Sequence, residues 1–185
     1  MTGRHEKKQI SITERRTFIE SVYDSLETII GAMILLVLVF TLLFRMAGVN
    51  GDSMQPTLNN NDRLLLSTVG YSPRYGDIVV INRYTEGALV KRVIGKAGDT
   101  IRIDNTTGQI YRNENLLIEK YIAGRTLSKD LETEVTVPHN CVFVLGDNRE
   151  NSKDSRYNEI GMVQVDDIIG RAFVRVWPIN RFSFF

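Results

Sequence analysis

The chain has 185 residues, with 23 basic and 22 acidic side chains, two histidines and one cysteine. Charges that nearly cancel give no footprint for nucleic acid or an acidic polymer. A single cysteine excludes an internal disulfide, the few His and Cys offer no metal-ligand spacing, no cofactor is expected, and the length allows one ordinary domain plus an anchor.

The N-terminal part reads as helix. Ser11-Ile12-Thr13-Glu14 fits a capping box. Phe18, Ile19, Val22, Tyr23 and Leu26 follow at helical spacing, which predicts an amphipathic helix at a membrane face, either separate from the next segment or fused with it. Residues 29–44, IIGAMILLVLVFTLLF, carry no charge. At 1.5 Å per residue they span about 24 Å, short of the ~30 Å hydrocarbon core. Thr28, Met46, Ala47 and Val49 are expected to lengthen the helix and Arg45 to snorkel, placing a transmembrane anchor at 29–47. A buried core helix would show a polar face, and this segment shows none. A cleaved signal peptide would put Arg45 at the −3 position of the obvious cleavage point after Ala47. Arg4, Lys7, Lys8, Arg15 and Arg16 precede the span, against Arg45 and Arg63 soon after it. The positive-inside rule therefore places residues 1–28 in the cytoplasm and 48–185 outside, as a single-pass protein of the cell membrane in contact with phospholipid.

Beyond the anchor the texture is that of strands. Short apolar runs at 63–67, 77–81, 88–94, 100–103, 109–112, 135–137, 141–145 and 170–177 alternate with turn signals such as Ser72-Pro73, Tyr75-Gly76 and Ala97-Gly98-Asp99. This predicts a mainly β domain, a sandwich or barrel. Residues 109–112 and 116–118 around Asn113-Glu114-Asn115 read as a hairpin, and 123–134 as a long, polar, mobile loop. Cys141 lies in an apolar run and reads as core; His139, between Pro138 and Asn140, reads as a loop residue. The acidic stretch from Asp147 fails as a calcium loop, with Arg149 at the third position and Ser152 where glycine belongs.

Two residues raise a chemical question. In the strand Ala88-Leu89-Val90-Lys91-Arg92-Val93-Ile94, Lys91 shares a face with Leu89 and Val93, and Arg92 shares one with Val90 and Ile94. Either this is an edge strand blunted by charge, or a cation points inward. A buried Lys91 has its pKa lowered by desolvation and by adjacent Arg92, and a neutral amine is a general base. Ser53, in Gly51-Asp52-Ser53-Met54-Gln55-Pro56, is either an N-cap or a nucleophile in need of a base. Serine with lysine is a known variant of the triad logic.

At this point the chain resembles a known family. Val49-x-Gly51-x-Ser53-Met54-x-Pro56-Thr57-Leu58, Gly76-Asp77-Ile78-Val79, Lys91-Arg92-Val93-Ile94-Gly95-x-x-Gly98-Asp99, and Gly146-Asp147-Asn148-Arg149-x-Asn151-Ser152-x-Asp154-Ser155-Arg156 with Gly161 beyond it stand in this order after one span. They are similar to the boxes of bacterial type I signal peptidases, the membrane-bound serine endopeptidases that remove signal peptides from exported preproteins. The resemblance implies a β-rich catalytic domain with Ser53 as nucleophile and Lys91 as general base. It implies Ser152 hydrogen-bonded to the lysine, Asp154 and Arg156 as a supporting ion pair, and Asp147 nearby. It also implies Met54, Leu58 and Leu89 around small substrate pockets, with the backbone at Leu89–Val90 pairing an extended substrate. Its partners are secreted preproteins with signal peptides; the sequence leaves the oligomeric state open. Two positions depart from the common pattern: Gly51 stands where many members carry a hydroxyl that helps the oxyanion hole, and Glu150 where Asp is common. The chain lacks the second anchor and large insertion of longer members. A non-catalytic membrane-anchored relative acting in assembly of surface proteins is the alternative, and a Ser-Lys autoprotease of the related repressor class a further one. Intact Ser53 and Lys91 oppose the first; the anchor and the matched boxes oppose the second.

Overall fold

The backbone changes character at Leu43. The computed structural model describes residues 3–68, 70–83, 87–132 and 134–185, with backbone alone for residues 3–19 and Arg83. The chain divides into two compact units between Leu43 and Phe44.

The first unit is one unbroken helix, α1 (Gly3–Leu43), so the two expected helical segments are fused. Its backbone is helical well before Ser11, and the capping box therefore does not mark its start. The side chains of Ser11, Glu14, Phe18 and Ile19 lie outside the described residues. Within α1, Glu20–Leu43 is long and apolar enough to cross a membrane; its most apolar 18-residue window has a mean hydropathy of 2.5. The whole stretch is about 36 Å long, enough for the ~30 Å hydrocarbon core. The hydroxyls of Ser25, Thr28 and Thr41 donate back to the carbonyls of Ser21, Asp24 and Leu38 at 2.8, 2.8 and 2.9 Å, which satisfies polar groups on an otherwise apolar helix.

The helix does not lengthen through Met46, Ala47 and Val49. Phe44–Gly48 is instead strand β1, antiparallel to β2 (Arg63–Ser67) in a register running from Phe44 opposite Ser67 to Gly48 opposite Arg63. Extended backbone puts Ala47 and Val49 against the core cluster of Met54, Leu58, Leu64 and Leu66, while the strand's polar groups pair with β2.

The remaining strands are β3 (Ile78–Arg83), β4 (Gly87–Lys96), β5 (Thr100–Asp104), β6 (Gln109–Arg112), β7 (Asn115–Leu116), β8 (Glu134–Thr136), β9 (Cys141–Leu145), β10 (Val163–Gln164), β11 (Ile168–Trp177) and β12 (Ser183–Phe184). They form two antiparallel sheets. The larger has the order β1-β2-β11-β3-β4-β9-β10, with β12 alongside β11; the smaller has the order β7-β6-β5-β8. The expected β architecture is therefore present, and the strands that were read from sequence agree to within a few residues. The short β10 and β12 carry too few residues for any periodicity. β4 is an interior strand, paired with β3 on one side and with β9 on the other from Arg92 to Lys96. Lys91 and Arg92 are both buried, so the edge-strand reading of these charges does not hold. The polar segment 123–132 is irregular, as expected, but it is fastened to the rest of the domain: Asp130 N–H donates to the Arg156 carbonyl, Arg156 Nη1 donates to the Leu127 carbonyl, and Ser128 N–H donates to Asn105 Oδ1.

Ion pairs tie the sheet to its connections. Arg175 of β11 donates through Nη1 to Asp62 Oδ2 (3.1 Å) and the Thr57 carbonyl (2.9 Å), and through Nε to the Arg181 carbonyl (2.6 Å). Asp62 is buried and also accepts from Asn59 N–H (2.9 Å). Removing one partner of such a pair strands the other charge in the interior. Asp62→Ala is therefore expected to cost about 3 kcal/mol of folding stability, read from denaturant unfolding of the full chain in detergent. A loss under about 1 kcal/mol would show the pair to be a surface-type contact.

Candidate active site

Ser53 sits on a turn pinned from below. Gly51 has a φ of +86°, a left-handed conformation that a side chain would strain. This gives a local reason for glycine where many relatives of the resembled family carry a hydroxyl. Gln55 N–H and Leu58 N–H donate to the carbonyls of Asp52 (3.1 Å) and Met54 (2.8 Å) and close the turn. Met54 and Leu58 plug it into the core with Val90, Ile78 and Val80. The flanking chain is fixed as well, because Val49 N–H donates to the Asp62 carbonyl at 2.8 Å. Ser53 is left half-buried between exposed Asp52 and buried Met54.

Lys91 reaches this turn from β4. It is only 2% exposed, and its Nζ donates to Ser53 Oγ at 2.9 Å and to the Val90 carbonyl at 3.1 Å. Leu89 and Val90 occupy opposite faces of the strand. Val90 packs with Met54 and Leu58, whereas Leu89 packs with Val79 and Ile81. Their backbone pairs with Ile81 and Val80 of β3. On the other side of β4, β9 pairs only from Arg92 onward, so among the described residues no strand covers the edge at Leu89–Val90.

The residue after Lys91 forms the central ion pair. Arg92 donates through Nε and Nη2 to the two oxygens of Asp147 at 2.8 and 2.6 Å, and through Nη1 to the Gly76 carbonyl at 2.8 Å. Thr57 Oγ1 donates to the same Asp147 carboxylate at 2.5 Å, and the Tyr121 ring lies 3.9 Å from the guanidinium. Burial disfavours the guanidinium charge, but Asp147 outweighs it and holds the Arg92 pKa above its ordinary value. The positive charge expected beside Lys91 is thus matched by a carboxylate.

The segment from Gly146 to Arg156 closes the site from the other side. Asn148 N–H donates to the Ser53 carbonyl at 3.0 Å, and its side-chain amide donates to the Asp52 carbonyl at 3.2 Å. Asp154 and Arg156 form the expected pair, with contacts of 2.7 and 2.8 Å. Asp154 Oδ2 also accepts from Gly146 N–H at 3.0 Å. Gly146 has no space for a side chain: a Cβ there would lie 2.5 Å from the Ser53 carbonyl oxygen and 2.1 Å from Ser152 Oγ. Ser152 is therefore beside Ser53, buried to 5% exposure. The hydrogen bond to Lys91 that the resemblance implies is not formed; Ser152 Oγ has no partner among the described residues, while the Lys91 amine is turned toward Ser53 and Val90. Glu150, the other departure, is exposed and accepts from Arg125 N–H at 3.2 Å.

His139 is exposed in a turn, and Cys141 is half-buried at the start of β9, against the cluster of Ile94, Ile101 and Phe143. Several residues at the site escaped the sequence reading. Thr57, Asn148 and Arg149 stood inside the matched boxes without a role, whereas Glu119 and Tyr121 lie outside every box and nothing in their local sequence marks them.

Residues 22–177 match the family model described as signal peptidase, peptidase S26. Signal peptidase I of Bacillus amyloliquefaciens is 38% identical over 173 residues, covering 87% of this chain and 91% of that protein. The probable signal peptidase I-2 of a Synechocystis strain is 38% identical over 165 residues, 84% of this chain and 73% of its own length. Signal peptidase I S of Bacillus subtilis is 36% identical over 175 residues, 88% of this chain and 92% of that protein. Among solved structures, a signal peptidase I from Enterococcus faecalis aligns with 29% identity and a TM-score of 0.45, covering 55% of this chain and 97% of that one. A family match across most of the chain, together with relatives of this identity and coverage, shows that the chain belongs to the signal peptidase family, peptidase S26.

Proposed function

We propose that this signal peptidase cleaves exported preproteins after small residues by a Ser53–Lys91 dyad at the outer membrane face. The 2.9 Å contact between Lys91 Nζ and Ser53 Oγ carries the reading. Burial of Lys91 favours its neutral amine. That amine takes the Ser53 proton as Oγ attacks the scissile carbonyl, and then passes it to the leaving amine. The acyl-enzyme is hydrolysed by a water that Lys91 deprotonates in turn. The Ser53 backbone N–H faces the developing oxyanion. The uncovered edge of β4 at Leu89–Val90 suits an extended substrate, with Met54, Leu58 and Leu89 limiting the space for its side chains. Ser152, Asp154, Arg156, Asp147 and Arg92 act by positioning. An unpartnered buried hydroxyl costs roughly 1–3 kcal/mol, which fits a Ser152 whose partner is the lysine during turnover.

The apolar stretch of α1 is the proposed anchor, with the N-terminus cytoplasmic and residues 44–185 outside. Exposed Trp177, Ile179, Phe182 and Phe184 beside Arg181 suit contact with phospholipid headgroups. Anchoring enzyme and signal helix in one bilayer supplies proximity.

Four outcomes check this reading. With a reporter preprotein carrying Ala at −3 and −1, Ser53→Ala and Lys91→Ala each abolish cleavage by mass determination of products, while His139→Ala and Cys141→Ser retain most of it; an active Lys91→Ala removes the dyad. Leu or Phe at −1 slows cleavage, and equal rates would contradict the pocket residues. kcat/KM rises with pH as the Lys91 amine is deprotonated and then levels off, and Ser152→Ala lowers kcat by roughly 10²-fold through misplacement of the amine, with Tm at or above the wild-type value. A flat profile or a fully active Ser152→Ala discards these roles. Protease added to intact cells removes the C-terminal domain and spares an N-terminal tag; the reverse pattern inverts the topology.

A further inference from the structure

Residues 117–126 lack regular structure and belong to none of the matched boxes, yet they pack against the segment that supports Ser53. Glu119 is a half-buried residue whose side chain is only 6% exposed, beside a wholly buried Arg149 side chain. Arg149 Nη2 donates to Glu119 Oε1 at 2.6 Å and Nη1 donates to Oε2 at 2.8 Å, a two-point contact. Its Nη1 also donates to Thr126 Oγ1 at 2.7 Å, and its Nε donates to the Gly146 carbonyl at 3.0 Å. Tyr121 OH donates to Glu119 Oε1 at 2.7 Å, and its ring is the one stacked on Arg92. Burial and adjoining Glu119 push the Tyr121 phenol up, so it remains a donor. Ala123 completes the contact: its N–H donates to the Asp147 carbonyl at 2.8 Å and its carbonyl accepts from Arg149 N–H at 2.9 Å. Ala123 thereby forms a parallel bridge with Asn148, and Asn148 N–H is the group that holds the Ser53 carbonyl.

We propose that Glu119 is a positioning residue for the nucleophile, acting with Tyr121 through Arg149 to fix the Gly146–Asp147–Asn148 backbone on which the Ser53 peptide rests. This inference rests on Ser53 being the nucleophile. The geometry favours positioning over stability alone, for two reasons. A buried ion pair is weak evidence for stability, since apolar replacements of similar volume are often neutral or stabilising. Arg149 also donates to the Gly146 carbonyl and to Thr126, joining two irregular segments that are otherwise paired through the single Ala123–Asn148 bridge. A displacement of about 1 Å at a reacting group can cost about 10²-fold in rate.

The test uses the full chain in phospholipid–detergent micelles with the Ala reporter. The double variant Glu119→Met/Arg149→Met removes both buried charges at similar volume. It is expected to keep the wild-type Tm within a few degrees and KM within about twofold, while kcat falls about tenfold or more. Tyr121→Phe keeps the ring on Arg92, removes only the hydroxyl, and is expected to lower kcat about threefold. It also decides the matter should the double variant fail to fold. A folded double variant, or Tyr121→Phe, with wild-type kcat overturns the proposal, as does a loss confined to KM, which would make the segment a wall of the substrate site. Ser53→Ala in the same assay separates the two readings: if it still cleaves, the dyad fails; if it is inactive and the clasp variants turn over normally, only the clasp fails.

Discussion

The pair Arg92–Asp147 is the contact on which the catalytic domain depends. Four separate parts of the chain meet there: β4 supplies Arg92, the turn after β9 supplies Asp147, the Ser53 turn supplies Thr57, and the approach to β3 supplies the Gly76 carbonyl. Both charges are largely out of water, so each is expensive without the other. The geometry leaves little slack, because a planar guanidinium meets a carboxylate at two points and in one plane. Placing this pair one residue from Lys91 fixes the strand at the position where the proposed base must be aimed. It also means that the Arg92 charge, expected from the sequence to push Lys91 toward its neutral form, is matched by a carboxylate.

Two kinds of support converge on Ser53, and they differ in what they can specify. Met54 and Leu58 are apolar plugs; they place the turn on the core but tolerate small rotations, because dispersion is non-directional. The hydrogen bond from Asn148 N–H to the Ser53 carbonyl is directional. Apolar burial thus holds the turn to the domain, and the polar network aims it. A serine and an amine 2.9 Å apart need both, since chemistry at that range is sensitive to displacements that leave the core packing almost unchanged.

Much of this was legible in the residues. Strands β2, β6 and β9 stand out because apolar runs of strand length are bounded by turn residues, and the matched boxes single out Ser53 and Lys91 before any geometry is known. The apolar segment of α1 is equally plain, since charge-free runs of that length have few other uses. Other features were beyond local reading for physical reasons. Phe44–Gly48 is apolar enough to continue a helix; only pairing with β2, distant in sequence, makes it a strand. The pattern on β4 is hidden because both faces are covered and alternation disappears. Glu119 and Tyr121 look like any polar surface stretch, because their importance lies in the partners, Arg149 and Arg92, that the fold brings to them.

The end of β9 shows how these parts work as one device. β9 runs antiparallel to β4, with Leu145 opposite Arg92; the next step would place Gly146 opposite Lys91, on the way to covering the edge at Val90 and Leu89 with Asp147 and Asn148. That step is not taken, because side chains claim both backbone groups of Gly146: Asp154 accepts from its N–H and Arg149 donates to its carbonyl. The two carboxylate–guanidinium pairs, Asp154–Arg156 and Glu119–Arg149, therefore terminate the strand. The same departure has two consequences. It leaves the β4 backbone uncovered at Leu89–Val90, where an extended substrate has room to pair, and it carries Gly146–Asn148 across to the Ser53 carbonyl. A glycine is needed at the point of departure because Ser53 and Ser152 both press on it. Had β9 continued in this register as far as Asn148, the domain would have gained ladder steps and lost both the open edge and the support of Ser53. The buried ion pairs are thus better understood as stopping a strand in the right place than as a source of net stability.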